Sequence, residues 1–540
     1  MPPLRASSDH GHVGRLATIF LAASLCLADA TLTGEWKVRV QYPDGAMEFP
    51  CYLRITASEV AGYAIYDGMP WPIVDGSVSG QNVSFVIARK LAGDDRPITL
   101  RGTVEEGRLR LSFQKLNDAN VYEATAVRVS ASAPGPIPKL PERLRLASVP
   151  PLAGNGLART PPMGWNSWNL FADKIDDRTV REIADALVSS GMAKAGYVYV
   201  NIDDTWEGSR DASGTIHPNQ KFPDMRGLAA YVHSKGMKLG IYSSPARKTC
   251  AGYEGSFGHE EQDARTFASW GIDYLKYDWC SADKVYEPES MRPAYAIMGR
   301  ALRETGRAIV FSLCQYGLQN VGEWGAEAGG NLWRTTGDIS DTWASMSRIG
   351  FELQSGREKY ASPGHWNDPD MLEIGNGGMS ETEYRTHMSL WCMLAAPLIA
   401  GNDVRTMSPA IRDILTNPEV IAVDQDALGR QGRAAGKDAE IWLKELSGGQ
   451  YAVALFNRGA EKKRMSVRWT DLGLTANPHV RDLWTRRDLG RMASGFSAEV
   501  PSHGVILLRV GHQGSGASSF RSDSFQFGGS TPSNQWTKKS

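Results

Sequence analysis

Hydrophobic and polar positions follow three rhythms along this chain. From residue 31 to about 130 they alternate, as in Trp36-Lys37-Val38-Arg39-Val40, Val83-Ser84-Phe85-Val86-Ile87 and Leu109-Arg110-Leu111-Ser112-Phe113. Successive side chains of a strand point to opposite faces, so these runs predict half-buried strands. With Gly and Asp turn signals between them, they predict a small antiparallel sandwich or barrel over 31–130. The Pro- and Ala-rich stretch from Ser130 to Pro138 then reads as a linker covering 131–158.

From 159 to 432 the rhythm becomes strand, helix, strand. Val180, Ile183, Ala184, Leu187 and Val188 form the stripe of an amphipathic helix. Strands are expected at 197–203, 238–243, 274–278, 308–313, 332–336, 364–367 and 398–401, and helices after Pro223 and over 259–270. With the opening Met163-Gly164-Trp165 these make eight units, the size and order of a (β/α)8 barrel. Short alternating strands return over 433–511 and predict a C-terminal antiparallel β-sandwich. The Gly/Ser-rich stretch 512–540 has little apolar content and is expected to be disordered.

Charge removes some partners. With 59 basic against 60 acidic residues, the balance favours neither nucleic acid nor an anionic membrane. Arg15, the apolar run 16–28 and Ala28-Asp29-Ala30 form an export signal over 1–30, too short to span a membrane. Leu25 before Cys26 is bulky where a lipid-anchor site wants a small residue. The mature protein is therefore expected to be secreted or periplasmic, with no membrane attachment. Cleavage leaves Cys51, Cys250, Cys280, Cys314 and Cys392, an odd count with at least one free thiol. Cys392, in the apolar stretch 390–394, reads as a core residue.

The chemistry concentrates in Tyr274-Leu275-Lys276-Tyr277-Asp278-Trp279-Cys280. Lys276 and Asp278 share a strand face, and a cation beside a carboxylate favours its ionised form. About sixty residues later Arg334 and Asp338 repeat the pattern. Two carboxylates at strand ends suggest glycoside hydrolysis by an acid/nucleophile pair, against the plainer reading of two ion pairs. Read alone, Asp203-Asp204 suits a metal site or helix cap, and Trp165 suits core packing. No zinc-like ligand cluster, phosphate loop or dinucleotide fingerprint occurs, so neither a metal nor a cofactor is expected.

Longer motifs carry a resemblance. Pro162-Met163-Gly164-Trp165-Asn166-Ser167-Trp168, Asn201-Ile202-Asp203-Asp204, Lys238-Leu239-Gly240-Ile241-Tyr242 and Lys248-Thr249-Cys250 occur in order. The Lys276/Asp278 segment, Phe311-Ser312-Leu313-Cys314, Arg334 to Asp338, Trp366-Asn367-Asp368-Pro369-Asp370-Met371 and Val423-Asp424-Gln425-Asp426 follow. Together, over roughly 159–432, they resemble glycoside hydrolase family 27, the melibiase or α-galactosidase group, in a bacterial-type form with an added N-terminal β-domain. The resemblance implies a retaining exo-α-galactosidase acting on α-galactoside carbohydrates without a cofactor. Asp278 would be the nucleophile, and Asp338 the general acid and then base. Their carboxyls would stand about 5–5.5 Å apart, Asp278 ionised and Asp338 held protonated. Trp165 would stack on the sugar, Asp203 and Asp204 would take hydroxyls, and Lys276, Arg334 and Asp370 would surround the ring. Tyr242, Cys314 and Tyr316 fall near it, and Cys250 and Cys280 occupy positions that form a disulfide in relatives.

Three departures stand out. A cysteine pair of many relatives falls on Asp173 and Thr205. The familiar Glu-Trp after Cys314 is Gln315-Tyr316, at a loop that shapes the pocket near the sugar's 2-position. The N-terminal β-domain lies outside the resemblance. Alternatives on the same scaffold are β-L-arabinopyranosidase and α-N-acetylgalactosaminidase, and in another class a non-catalytic sugar-binding protein. That last reading would need the loss of Asp278 or Asp338, and both are present.

Overall fold

The computed structural model describes residues 32–511 apart from 43–44, 57, 67–68, 92–93, 96, 106, 116–120, 140–141 and 436–438. The segment 1–30 expected to be an export signal, with Cys26, and the stretch from 512 lie outside them. Among the described residues no helix is long and apolar enough to cross a membrane.

Eight antiparallel strands, from Gly34–Tyr42 to Tyr122–Ser130, pair each with the next, and the last pairs back onto the first. Of the two architectures that the alternation allowed, the chain adopts a closed barrel. Closure leaves no unpaired edge. In the first strand Trp36, Val38 and Val40 point inward while Lys37 and Arg39 face water. Phe85, Phe113 and the free Cys51 fill the same interior.

The segment after this barrel is more than a spacer. Arg54 Nη2 donates to the Pro134 carbonyl. Arg143 Nη1 donates to the Asp283 carbonyl, and Leu144 forms a parallel bridge with Tyr286. Farther on, the Leu152 amide donates to the Glu327 carbonyl, and Asn155 exchanges side-chain hydrogen bonds with Asn331. Asp283 and Tyr286 follow strand Tyr274–Asp278 of a second, parallel barrel, whereas Asn331 precedes its strand Leu332–Arg334. Residues 143–158 therefore run as a strap from the carboxyl ends of the barrel strands to their amino ends, and there feed the first strand.

That second barrel is parallel. In chain order its strands are Met163–Asn166, Tyr199–Asn201, Lys238–Ser243, Tyr274–Asp278, Val310–Cys314, Leu332–Arg334, Trp366–Asp368 and Leu398–Ala400. The eighth pairs with the first, and a bridge between Leu372 and Ala400 joins the seventh side to the eighth. Helix Asp177–Ser189 begins at Asp176, whose carboxylate accepts from the Thr179 amide, and it buries Val180, Ile183, Ala184 and Leu187. Val188, expected on that stripe, is 45% exposed: it lies one residue beyond the buried face, in the last turn.

Helix Glu381–Leu394 opens with a capping box between Ser380 and Glu383 and is buried along most of its length. The C-terminal domain covers its outer side. Lys444 Nζ donates to the Cys392 carbonyl and Trp484 Nε1 to Ser389 Oγ, so Cys392 is a core residue as expected. The C-terminal domain itself packs a six-stranded sheet against the pair Lys463–Arg468 and Gly495–Val500. Val453, Leu455, Met465 and Trp469 form the core between them.

Candidate active site

Polar side chains gather where the parallel strands end. Asp278 closes the fourth strand and is only 4% exposed. Tyr316 Oη donates to its Oδ1 at 2.6 Å, and the Cys280 amide donates to the same oxygen at 3.3 Å. Lys276 shares its face, as strand parity requires, but its ammonium donates at 2.9 Å to Asp203 Oδ2 rather than to Asp278. The partner expected within the strand is thus supplied from the end of the second strand. Asp203 also accepts from Asn166 Nδ2 at 2.8 Å. Asp204 accepts from the Thr205 amide at 2.7 Å and from the Ala251 amide at 2.8 Å. Ala251 follows Cys250, whose disulfide to Cys280 ties the loop after the third strand to the one after the fourth. Cys250, Asp278 and Cys280 bring three potential metal-ligand atoms within 4.8 Å of one another, but a disulfide offers no thiolate.

The opposite side is organised by Arg334, the last residue of the sixth strand. Its Nη2 lies 2.9 Å from Asp338 Oδ1 and 3.0 Å from Asp370 Oδ2, and its Nη1 3.7 Å from Cys314 Sγ. Asp370 Oδ2 also accepts from the Ile339 amide at 2.9 Å, so it fixes the loop that carries Asp338. The Asp338 side chain itself is 74% exposed and free to meet a ligand. Thr205, Tyr316 and Asp370 all have positive φ, at 84°, 60° and 89°. Non-glycine residues in that region cost about 1–3 kcal/mol each, and here they cluster beside the carboxylates.

Burial pushes the Asp278 carboxyl up to about 6, against the pull of Lys276 and Tyr316. Burial likewise raises Asp368 to about 6, although Arg334 opposes it. Asp338 moves the other way. The protein around it raises its pKa, but Arg334, followed by Lys276 and Lys115, outweighs that and holds it below the ordinary range. This reverses the order expected from sequence, because Arg334 bonds the exposed carboxylate while Lys276 turns away from the buried one.

The sequence profile described as alpha galactosidase A matches residues 160–426, and that of the alpha-galactosidase C-terminal beta-sandwich domain matches 436–510. An α-galactosidase of Cyamopsis tetragonoloba is 48% identical over 360 residues, 65% of this chain and 86% of that protein. The chain belongs to the melibiase family. Among solved structures of the family, α-galactosidase I of Mortierella vinacea aligns with a TM-score of 0.63 at 37% identity, over 67% of this chain and 99% of its own. The Saccharomyces cerevisiae α-galactosidase with raffinose aligns with a TM-score of 0.62 at 28% identity, over 66% and 98%.

Against this family frame the departures take physical form. Lys221 Nζ donates to the Asp173 carbonyl at 2.9 Å and to Thr205 Oγ1 at 2.8 Å, so a lysine joins the two positions that cysteines hold elsewhere. Tyr316 reaches across to Asp278 with its hydroxyl, beyond presenting a ring. Tyr242 is buried and donates to Cys250 Sγ at 3.1 Å. Trp165 corrects an expectation. It is fully buried, its Nε1 donates to the Asn402 carbonyl at 2.8 Å, and Phe171 meets it edge to face, so it leaves no open face for a sugar. Sequence reasoning gave no role to Asn166, Ala251 or Asp368. Asn166 and Asp368 sit inside quoted motifs, but Ala251 acts through its backbone and leaves no side-chain signal.

Proposed function

We propose that the protein is an exported exo-α-galactosidase that acts with retention through Asp278 as nucleophile and Asp338 as acid/base. The observation that carries this reading is the contrast between a buried carboxylate at the fourth strand's end and an exposed one held on Arg334. Both protein donors to Asp278 fall on Oδ1, which leaves Oδ2 for attack on the anomeric carbon. Asp338 gives its proton to the departing glycosidic oxygen as the Asp278–sugar ester forms. It then takes a proton from water as that water attacks the same carbon and frees Asp278, restoring the original configuration. Lys276, Asp203, Asp204, Arg334 and Asp370 supply the charged and hydrogen-bonding wall that a polyhydroxylated glycone needs. The Cys250–Cys280 disulfide supports an oxidising, exported location.

The test is hydrolysis of aryl α-D-galactopyranoside by residues 31–540, beside the corresponding β-L-arabinopyranoside and α-N-acetylgalactosaminide. The galactoside is expected to be preferred at least tenfold, by about 1.4 kcal/mol of transition-state binding. A better arabinopyranoside or acetamido sugar would overturn the glycone assignment while leaving the mechanism.

The pKa order sets the pH profile. With Asp338 below its ordinary range and Asp278 at about 6, the reactive form is the minority arrangement of a singly protonated pair. That pair exists only between the two values, so kcat/KM is expected to be bell-shaped with an alkaline limb near pH 6. The Tyr316 hydroxyl favours ionised Asp278, so Tyr316→Phe raises the Asp278 pKa and moves this limb to higher pH. The peak falls about tenfold, the value of one hydrogen bond to a charged group. An unmoved limb would mean that Tyr316 does not hold Asp278 in solution.

A further inference from the structure

The stretch that carries Asp338 runs from the sixth strand to helix Trp343–Ser347 and on through a π-helical turn, Arg348–Glu352. Asp370 holds it close to the site, through the Ile339 amide. Farther out, Asp341 Oδ2 accepts from the Gly378 amide at 2.5 Å and from Tyr384 Oη at 2.8 Å. Those donors come from the loop after the seventh strand and from helix Glu381–Leu394.

The C-terminal domain grips the same stretch. The His503 ring lies nearly parallel to Trp343, at 9° with centroids 4.0 Å apart. Its Nδ1 meets Glu383 Oε1 at 2.7 Å, while Glu383 Oε2 accepts from the Ser380 amide in the capping box. Thr386 Oγ1 donates to the His503 carbonyl at 2.6 Å, and the residue has a left-handed φ of 53°. The imidazole is thus set from its own turn, between strands Gly495–Val500 and Val505–Gly511. At the far end of the stretch Phe351 meets Trp442 and Phe456 edge to face, and Arg458 Nη2 pairs with Glu352 at 2.8 Å.

Asp338 itself is exposed, so the place of its carboxyl depends on where this backbone sits. We propose that His503 is a positioning residue for the acid/base: stacked on Trp343 and tied to Glu383, it fixes the stretch on which Asp338 rides. This rests on the α-galactosidase reading above and brings the C-terminal sandwich into the proton transfer. A displacement of about 1 Å at a catalytic group can cost about a hundredfold in rate, even when it starts far from the chemistry. Trp343 begins the helix that follows Asp338, and a shift there passes back along the chain.

Steady-state kinetics of residues 31–540 tests this, with raffinose, whose departing oxygen needs a proton, and a dinitrophenyl galactoside, whose leaving group needs none. His503→Ala is expected to lower the raffinose-to-dinitrophenyl ratio of kcat/KM about tenfold, through kcat for raffinose with its KM unchanged. His503→Phe keeps a ring on Trp343 and should restore most of the ratio. Trp343→Leu removes the stack from the other side and should give the same fall, which keeps the test open should His503→Ala not fold. Ser389→Ala breaks the Trp484 contact elsewhere along the same domain boundary, and should lower the thermal midpoint without moving the ratio. An unmoved ratio in His503→Ala and Trp343→Leu overturns the inference, as does an equal fall in Ser389→Ala, while wild-type turnover leaves the galactosidase reading standing. Failure of the wild type on both substrates overturns both.

Discussion

Asp278→Gly is expected to lower kcat for an aryl α-galactoside by about 10⁴-fold or more, a loss of about 5.5 kcal/mol of transition-state stabilisation. The deficit should be recovered in part by sodium azide, which fits the space of the missing carboxylate and attacks from the face Asp278 occupied. The diagnostic product is the β-galactosyl azide, identified by its anomeric coupling in NMR. The fold should survive, because burial disfavours the ionised Asp278 and its removal relieves that cost. An α-azide, or a variant with near wild-type turnover, would remove Asp278 from the nucleophile's role.

Asp338→Ala should show a loss that depends on the leaving group. Raffinose, whose departing oxygen needs a proton, is expected to lose about 10³-fold or more in kcat/KM, whereas a dinitrophenyl galactoside loses far less. Water activation also depends on this residue, so the dinitrophenyl substrate should give a burst of phenol followed by slow turnover. Equal losses on the two substrates, with no burst, would contradict an acid/base role. Arg334 keeps Asp370 as a partner in this variant, so the loss should not stem from a stranded buried cation.

Much of this site was legible because strand parity and strand ends are local properties. Lys276 and Asp278 do share a face, and Arg334 does bind Asp338. What parity cannot reveal is the neighbour across the sheet. Asp203 claims the Lys276 ammonium only because the parallel register brings the second, third and fourth strands side by side. The same limit explains Trp165, whose burial depends on Asn402, over two hundred residues away. The alternation of 31–130 could predict strands, but closure requires Gly34–Tyr42 to meet Tyr122–Ser130, a pairing between distant segments.

The strap has a consequence for where one molecule can be divided. The sequence profile of the catalytic domain begins at residue 160, and a cut there looks natural from that profile. Yet Leu152 packs beside Gly299 and Gly329, and Leu144 extends the loop beyond the fourth strand as an added bridge. Part of the catalytic barrel's outer surface is therefore built from chain that precedes that profile. The profile's boundary and the mechanical boundary differ here by some seventeen residues, from 143 to 160. A truncation at 160 would therefore strip the parallel barrel of part of its own surface together with the N-terminal domain.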